Sequence, residues 1–239
     1  MQISIATVNL WGLPWPFSIH KSRRIRDLIS VIQKERFDVL AIQELWIPRD
    51  LRIIKNSLPE YHVFAKSNTA INPSGLVLFS LFDLHDCRVI PFHMPLFHKE
   101  NPSHKGVLKA HIRINENDLT ICNTHLYFGG KQKLHPLQKK QFTQLNACLP
   151  KTPTILCGDF NVNKNQLDIQ KTFTLLSNPE VFTIDYSTRY ARFLFNRVHG
   201  RDRSPDMIFA NFPTDVTKTR IITEPLLSDH FLVVVKMKI

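Results

Sequence analysis

Residues Thr154–Asn161 read T-I-L-C-G-D-F-N, and this stretch decides the fold. Thr154–Gly158 is a short, continuous apolar run, which predicts a buried strand. Asp159 and Asn161 follow where that strand stops. A rigid strand can hold such side chains at the rim of a sheet, where functional groups are commonly placed. The stretch therefore predicts a functional site at the end of a buried strand.

The same arrangement recurs at five further strand ends. Apolar segments run into polar residues in T-V-N, A-I-Q-E, N-T-H, S-P-D and L-S-D-H, which supply Asn9, Glu44, His125, Asp206, Asp229 and His230. Taken alone, each of these residues could anchor a turn or face solvent. Their repeated position at strand ends predicts one shared cleft.

The order of the apolar patterns predicts an α/β protein with more strands than helices. We expect helices at Arg23–Glu35, Leu51–Leu58, Leu137–Leu149 and Asp168–Leu176. We expect strands at Ile3–Val8, Val39–Gln43, Tyr61–Ala65, Gly75–Phe82, Cys87–Pro91, Leu108–Ile114, Leu119–Thr124, Thr154–Gly158, Met207–Ala210, Ile221–Thr223 and His230–Met237. Because the helices are scattered between strands, two packed sheets with helices outside fit this order. No linker or repeat interrupts the chain, which predicts one domain over residues 1–239.

Composition restricts the class of protein. With 43% hydrophobic and 21% charged residues in 239, the chain is not a disordered tail protein. Its net charge of +11 favours polyanionic partners, namely nucleic acid, an anionic membrane face or phosphorylated small molecules. The four cysteines form no C-x-x-C pair, which argues against a zinc ribbon. No membrane span or secretory signal is evident, so we expect a cytoplasmic or peripheral membrane protein.

Two motifs together carry a family resemblance. Gly158-Asp159-Phe160-Asn161 and Ser228-Asp229-His230, with Glu44 and His125 before them, resemble the endonuclease/exonuclease/phosphatase superfamily over essentially the whole chain. The stretches N-L-W-G-L-P from Asn9, F-D-V-L-A-I-Q-E-L-W through Glu44 and K-G-V-L-K-A from Lys105, together with Arg24, resemble its neutral sphingomyelinase branch. The resemblance implies a four-layer α/β/β/α sandwich of two packed, mainly antiparallel sheets with helices outside.

The resemblance also implies a phosphodiesterase that depends on Mg²⁺ or Mn²⁺. Glu44 would be the principal metal ligand, and Asn9 and Asp229 would complete or orient the metal site. The donor types agree with this, because carboxylate and amide oxygens without cysteine suit a hard cation that also binds water and phosphate.

Catalytic roles follow from the same resemblance. Asp159 and Asn161 would position the attacking water and a phosphate oxygen, and His125 would face the phosphate. His230, oriented by Asp206, would accept the proton of the water or hold the phosphate. The base is therefore assigned to the Asp159–His230 pair. One departure bears on the partner of His230: the motif around Asp206 reads R-S-P-D-M-I, where the family pattern is R-x-D-Y-I.

A phospholipid headgroup ester is the favoured substrate. Trp11–Phe17 and Pro91–Phe97 are proline-broken apolar segments, and exposed Trp15 and Phe97 would suit the membrane interface. The competing interpretation is that these rings pack under their loops. Substrate phosphate would be contacted by basic residues, for which the candidates are Lys105, Arg197 and Arg201.

The main alternative is a metal-dependent nuclease of the abasic-site or general deoxyribonuclease type. The positive charge supports it, because Lys and Arg contacts to phosphate supply most non-specific nucleic-acid affinity. A phosphatase for inositol phosphates or phosphomonoesters is a further alternative. A non-catalytic binding protein is less favoured, because every catalytic position is filled. We expect a monomer.

Overall fold

The computed structural model describes residues 1–66, 71–93, 104–129, 134–178, 181–184 and 204–239. Its strands are β1 (Gln2–Asn9), β2 (Val39–Gln43), β3 (His62–Phe64), β4 (Val77–Ser80), β5 (His85–Pro91), β6 (Gly106–Ile114), β7 (Asn117–His125), β8 (Thr154–Asp159), β9 (Thr174–Leu175), β10 (Asp206–Ala210), β11 (Asp215–Ile222) and β12 (Leu232–Lys238). Its α-helices are α1 (Lys21–Glu35), α2 (Pro48–Ser57) and α3 (Pro136–Cys148).

The strands form two six-stranded mixed sheets. Sheet one has the order β11-β12-β1-β2-β4-β3, and sheet two has the order β5-β6-β7-β8-β10-β9. Each sheet contains one parallel pair, β1 with β2 and β7 with β8, and its other pairs are antiparallel. The predicted arrangement of two packed, mainly antiparallel sheets is confirmed.

Three apolar clusters separate four layers. The central cluster lies between the sheets and joins residues such as Ile5 of sheet one and Ile155 of sheet two. A second cluster packs α1 and α2 on the outer face of sheet one, with Leu28 and Ile54 fully buried. A third packs α3 on the outer face of sheet two through residues that include Phe142. The helices therefore lie outside the two sheets, as the fold class required.

The predicted helix over Asp168–Leu176 is wrong. The chain forms a short 3-10 helix at Lys164–Gln166 and then runs to the two-residue strand β9, where Leu175 pairs with Phe209 of β10. The Gln170 side chain donates to Asn146 O at 2.7 Å, which ties the intervening loop to α3. β-branched Ile169, Thr172 and Thr174 also weaken helix propensity in this stretch. Strand pairing therefore overrides the apparent helical spacing.

Strand direction brings the polar strand ends together. β1, β2, β7 and β8 finish at one end of the sandwich, and β10 and β12 begin there, because they run antiparallel to β8 and β1. We call this the site end, and the opposite end, which holds the β6–β7 hairpin turn, the far end. Cross-sheet contacts at the site end, described below, show that both sheets contribute to it.

No helix among the described residues is both long enough and apolar enough to span a bilayer.

Candidate active site

Side chains from both sheets meet at the site end. Asn9, the last residue of β1, donates from Nδ2 to Glu44 Oε1 at 3.0 Å and to Asp159 Oδ2 at 2.9 Å. Its Oδ1 accepts the backbone N–H of Trp11 at 2.9 Å, which fixes which end of the carboxamide faces the carboxylates. Asn9 therefore links the two sheets. Of the two roles predicted for it, completing the metal site or orienting it, this geometry favours the second.

Close contacts between backbone segments fix the positions of Glu44 and Asp159. Gly12 N–H donates to Glu44 O at 2.9 Å, and a Cβ on Gly12 would lie 2.2 Å from that oxygen. Gly158 has φ +141°, and a Cβ there would lie 2.0 Å from Thr124 O. Glu44 itself adopts a left-handed φ of 59°. Backbone strain of this kind is found at functional sites, where the surrounding structure holds it in place.

Asp159 is held by its own loop as well as by Asn9. The backbone N–H of Asn161 donates to Asp159 Oδ1 at 2.8 Å, and Asn161 Nδ2 lies 3.3 Å from Asp159 Oδ2. Asn161 Nδ2 also donates to Leu126 O at 2.9 Å. The buried carboxylate therefore has several N–H donors around it, and its orientation is fixed.

His230 pairs with Asp206 despite the altered motif. His230 Nδ1 lies 2.9 Å from Asp206 Oδ2, and both residues are buried. Thr183 Oγ1 donates to the same carboxylate oxygen at 2.6 Å. Pro205 is accommodated just before β10, where its carbonyl accepts the N–H of Phe160 at 2.8 Å. The second imidazole nitrogen, Nε2, lies 4.0 Å from Asp159 Oδ2.

His125 and Lys105 form a second buried pair. Lys105 Nζ lies 3.2 Å from His125 Nε2 and donates to Leu126 O at 3.0 Å. Because an ammonium can only donate, His125 Nε2 is the acceptor and its proton lies on Nδ1. Nε2 is also 3.5 Å from Asp159 Oδ2 and 3.9 Å from Glu44 Oε1. The lysine charge therefore lies next to the carboxylates of both sheets.

The electrostatics of the site follow from burial and from charge pairing. Burial raises the pKa of Glu44 and that of Asp159, although the positive charge of Lys105 partly opposes this at both. Burial, with the positive charge of Lys105, holds the pKa of His125 well below its usual range. Burial alone would also lower the pKa of His230, but the negative charge of Asp206 and its hydrogen bond raise it well above that range. The two groups of raised pKa, Asp159 and His230, therefore face each other at 4.0 Å.

The donor set fits a divalent cation. Asp159, Asp206 and His230 offer ligand atoms that lie within 4.8 Å of one another. Asp206 Oδ1 is buried and has no hydrogen-bond partner among the described residues. The charge of Asp229 also raises the pKa of Glu44, so these two carboxylates repel each other and a cation beside them would relieve that repulsion. Oxygen donors of this kind suit Mg²⁺ or Mn²⁺.

Arg24 ties the loops of the site end to α1. Its guanidinium donates to Leu10 O, to Leu227 O at 3.1 Å and to Trp11 O at 3.2 Å, and its side chain is buried. Leu10 and Trp11 follow Asn9, and Leu227 precedes the segment that carries Asp229 and His230. Arg24 is therefore placed to hold these two loops at a fixed distance.

The remaining predicted residues are only partly placed. Asp229 is half-buried and accepts from Ser228 Oγ at 2.9 Å. Trp15 is exposed on the loop that follows β1. Phe97, Arg197 and Arg201 lie outside the described residues, so their predicted contacts stay predictions.

Sequence reasoning missed several residues that support the site. Thr183 binds Asp206, but no motif marks it. Gln43 Nε2 donates to Asn123 Oδ1 at 2.8 Å, and Asn123 Nδ2 donates to Ile42 O and Val77 O, both at 2.9 Å. This hydrogen-bonded bridge crosses the inter-sheet core just below Glu44 and His125. The only sequence signal for it was a polar residue within otherwise apolar strands.

Sequence comparison places the chain among known proteins. The profile of the "Endonuclease/Exonuclease/phosphatase family" matches residues 6–233. Human "Sphingomyelin phosphodiesterase 2" is 23% identical over 202 residues, which cover 78% of this chain and 48% of that protein. The Drosophila melanogaster "Putative neutral sphingomyelinase" is 23% identical over 188 residues, covering 70% of this chain and 41% of that protein. The chain thus spans about half the length of the curated relatives it matches.

Solved structures share the fold at lower identity. D. rerio TDP2 complexed with a single strand DNA product has a TM-score of 0.75 and 17% identity, covering 100% of this chain and 99% of that chain. Sphingomyelinase C from Streptomyces griseocarneus has a TM-score of 0.72 and 13% identity, covering 99% of each chain. The profile match and the shared fold agree with the paired carboxylates and histidines at the site end. The chain belongs to the endonuclease/exonuclease/phosphatase family, whose members are metal-dependent phosphoesterases.

Proposed function

We propose that the chain is a Mg²⁺-dependent phosphodiesterase that hydrolyses the headgroup ester of a phospholipid, in the manner of a sphingomyelinase or phospholipase C. The observation that carries the hydrolase assignment is the contact of Asn9 with Glu44 of sheet one and Asp159 of sheet two, beside the Asp206–His230 pair. The lipid assignment is supported by the named sphingomyelin phosphodiesterases, which match more than two thirds of the chain.

Glu44 and Asp229 would hold the cation. Asp206 Oδ2 already accepts hydrogen bonds from Thr183 and from His230, and a cation bound between Asp206 and His230 would disrupt that arrangement. Among the described residues, Glu44 accepts one side-chain hydrogen bond, from Asn9 through Oε1, which orients it. When bound, the cation supplies positive charge to the phosphate oxygens and so lowers the barrier to attack.

The chain's own residues would then manage the water and the proton. Asp159, fixed by Asn9 and Asn161, is placed to orient a water molecule that attacks phosphorus. The proton of that water goes to the Asp159–His230 pair, in which Asp206 fixes the imidazole through Nδ1 and leaves Nε2 facing Asp159. The bond from phosphorus to the lipid alcohol oxygen breaks, and that oxygen takes up a proton from the protonated pair, so the lipid leaves as a neutral alcohol.

Lys105 would stabilise the charge that develops on the phosphate, and His125 would hold the Lys105 ammonium in position. Lys105 is a buried ammonium beside Glu44 and Asp159, so it balances part of their negative charge before substrate arrives. His125, neutral and protonated on Nδ1, is held against Lys105 through Nε2. Preorganised groups of this kind act without reorganisation in the transition state.

A nuclease is the second candidate, and two observations favour it. The chain carries a net charge of +11, and its fold matches that of D. rerio TDP2 in complex with a DNA product. The residues described above would serve either substrate, because both present a phosphodiester. The choice between them therefore depends on what surrounds the phosphate.

A turnover panel tests the proposal. The purified chain is assayed with Mg²⁺ and then with EDTA against sphingomyelin vesicles, phosphatidylcholine vesicles, abasic DNA, plasmid DNA and inositol phosphates. We expect metal-dependent release of a phosphorylated headgroup from one of the lipids. Faster cleavage of either DNA would contradict the lipid assignment. Full turnover in EDTA would contradict the metal assignment.

A further inference from the structure

We propose that the site end is a docking face for an anionic lipid bilayer, built from exposed aromatic rings on several loops together with basic side chains. The inference rests on the proposed function for its substrate, and it adds the surface that would bring the site to the lipid. The sequence predicted membrane contact for Trp15, the one of its two candidate rings that the structure describes. The inference adds rings on other loops of the site end.

Every exposed Trp or Phe side chain in the described residues lies on a loop of the site end. Trp15 and Phe17 are 82% and 59% exposed on the loop that leaves β1 after Asn9. Phe128 is 44% exposed three residues after His125. Phe182 is 44% exposed and directly precedes Thr183, which binds Asp206. The rings therefore come from three separate segments, each continuous with a residue of the site.

Aliphatic side chains follow the same distribution. Val181, beside Phe182, is exposed. Ile71 is exposed on the segment before β4, whose first residue pairs with Ile42 at the site end. The other exposed large hydrophobic side chains in the described part of the chain are Met1 and Val216, at the far end, and Ile53, on α2. Exposed apolar side chains grouped at one end of a domain point to an interaction site, whereas exposed residues scattered singly do not.

Exposed acidic side chains are distributed unevenly along the same axis. Exposed acidic side chains of the described residues lie mainly at the far end: Glu60, Asp83, Asp86, Glu116, Asp118 and Asp215. Exposed basic side chains occur at both ends: Arg23, Arg49, Lys66, Lys139 and Lys164 lie at the site end, whereas Lys34, Arg36, Lys151 and Lys238 lie at the far end. Because the acidic side chains of the far end offset its basic ones, the site end carries the larger share of the positive charge, and an anionic leaflet would favour an orientation with the site toward the lipid.

The apolar chemistry favours lipid over nucleic acid as the partner of this face. Trp and Phe occupy the boundary between headgroups and acyl chains, and branched aliphatic side chains such as Ile71 and Val181 can enter the same layer. Single-stranded nucleic acid would use the rings by stacking, but it gains nothing comparable from the aliphatic side chains. The mixture of rings and aliphatic groups around one site therefore fits a bilayer.

Docking in this orientation would place the phosphate close to the site. Phe128 and His125 are three residues apart, and Phe182 and Thr183 are adjacent, so rings at headgroup depth bring the catalytic residues to the membrane surface. The headgroup phosphate would then lie against the end of the sandwich that holds Lys105 and His230.

Vesicle binding by matched variants tests the docking face. Trp15→Ser combined with Phe17→Ser forms one variant, and Phe128→Ser and Phe182→Ser form two others. Ile53→Ser and Val216→Ser are controls, because they remove exposed hydrophobic side chains outside the face. Each protein is sedimented with vesicles of phosphatidylcholine alone or with added phosphatidylserine. Its thermal midpoint, its binding of a single-stranded oligonucleotide and its hydrolysis of bis(p-nitrophenyl) phosphate are also measured.

We expect wild type to bind vesicles containing phosphatidylserine more tightly than those without it. The double variant should lower that binding about tenfold and each single variant by less, while the controls bind as wild type. The ratio of vesicle-lipid turnover to turnover of the small diester should fall in parallel. Unchanged vesicle binding in all face variants would overturn the inference. So would a lowered thermal midpoint in every face variant, which would show that the rings are core, or a loss confined to oligonucleotide binding.

The two proposals fail in different ways. If the wild-type chain hydrolyses the small diester but does not sediment with either vesicle, only the docking face is wrong. If it sediments with anionic vesicles and loses this with the double variant, but hydrolyses no diester, the docking face stands and the phosphodiesterase assignment fails.

Discussion

The two ends of the sandwich are built from the same strands, yet they hold charge in opposite ways. At the far end, Arg113 and Asp118 pair across the β6–β7 hairpin at 2.9 Å with both side chains well exposed. At the site end, Lys105, Asp159, Asp206 and His230 are buried. Exposed pairs contribute little to stability, whereas buried charges cost free energy unless they are paired. The site end thus holds buried charged groups whose desolvation cost the exposed pair avoids, and such arrangements are common at functional sites.

The largest expected effect separates the two ends by activity. His230→Ala removes the imidazole held by Asp206, and loss of a general acid–base group lowers kcat by about 10²–10⁴-fold. His85→Ala, which changes an exposed histidine near the far end, should retain wild-type kcat. Steady-state kinetics on the best substrate of the panel measure both. Equal losses at the two positions would remove the distinction on which the assignment depends.

A second pair of variants compares a buried positive charge at the site end, Lys105, with an exposed one at the far end, Arg113. Lys105→Met removes the cation beside Glu44 and Asp159 and should lower kcat by about 10²-fold, the scale found for one preorganised charge-stabilising group. Arg113→Met removes an exposed cation at the far end and should leave kcat unchanged. Single-turnover rates distinguish a slower chemical step from weaker substrate binding. A Lys105→Met enzyme with wild-type kcat would contradict the proposed role.

The hydrogen bond between Gln43 and Asn123 joins the two sheets and should contribute to stability. Gln43→Leu or Asn123→Leu leaves a buried polar partner without its hydrogen bond, so each should lower the free energy of unfolding by about 1–3 kcal/mol. Replacement of both removes the unsatisfied partner, and the two losses should not add. Urea unfolding of the single and double variants measures the coupling. Additive losses would show that the bridge is not a coupled unit.

The smallest expected effect concerns an ion pair away from the site. Arg220 bonds to Glu35, and this hydrogen bond lowers the pKa of Glu35. A carboxylate with a lowered pKa contributes stability above its unfolded pKa and loses it as pH falls through the folded value. Arg220→Gln should therefore lower unfolding free energy by about 0.5 kcal/mol at pH 7 and by nothing at strongly acidic pH. Denaturant unfolding at both pH values checks this. A difference that persists in acid would assign the effect to packing.

The sequence predicted the strand ends well, because short apolar runs that stop at polar residues leave few alternatives. Val39–Gln43 forms β2 with the predicted bounds, and Glu44 follows it into the site. The helix predicted over Asp168–Leu176 failed, because pairing of Leu175 with Phe209 depends on residues far apart in sequence. Long-range pairing of this kind cannot be read from a local pattern.

Support for the site was less predictable than the site itself. Asn9, Glu44, Asp159 and His230 stand in motifs, whereas Thr183 is recognisable only once its hydrogen bond to Asp206 is known. The same holds for Phe128 and Phe182, whose exposure depends on how their loops fold. Motifs predict the reacting groups, but supporting contacts arise from tertiary structure.

The thermal response to Mg²⁺ tests the central claim that the site end is a cation-dependent hydrolase site. At about a hundredfold excess of Mg²⁺ over its dissociation constant, wild type should melt about 5–10 °C higher than in EDTA. Asp118→Asn, which removes an exposed carboxylate of the far end, should show the same rise. Glu44→Gln should show almost none, because it removes the proposed principal ligand. An equal rise in Glu44→Gln would contradict the account and place the cation elsewhere.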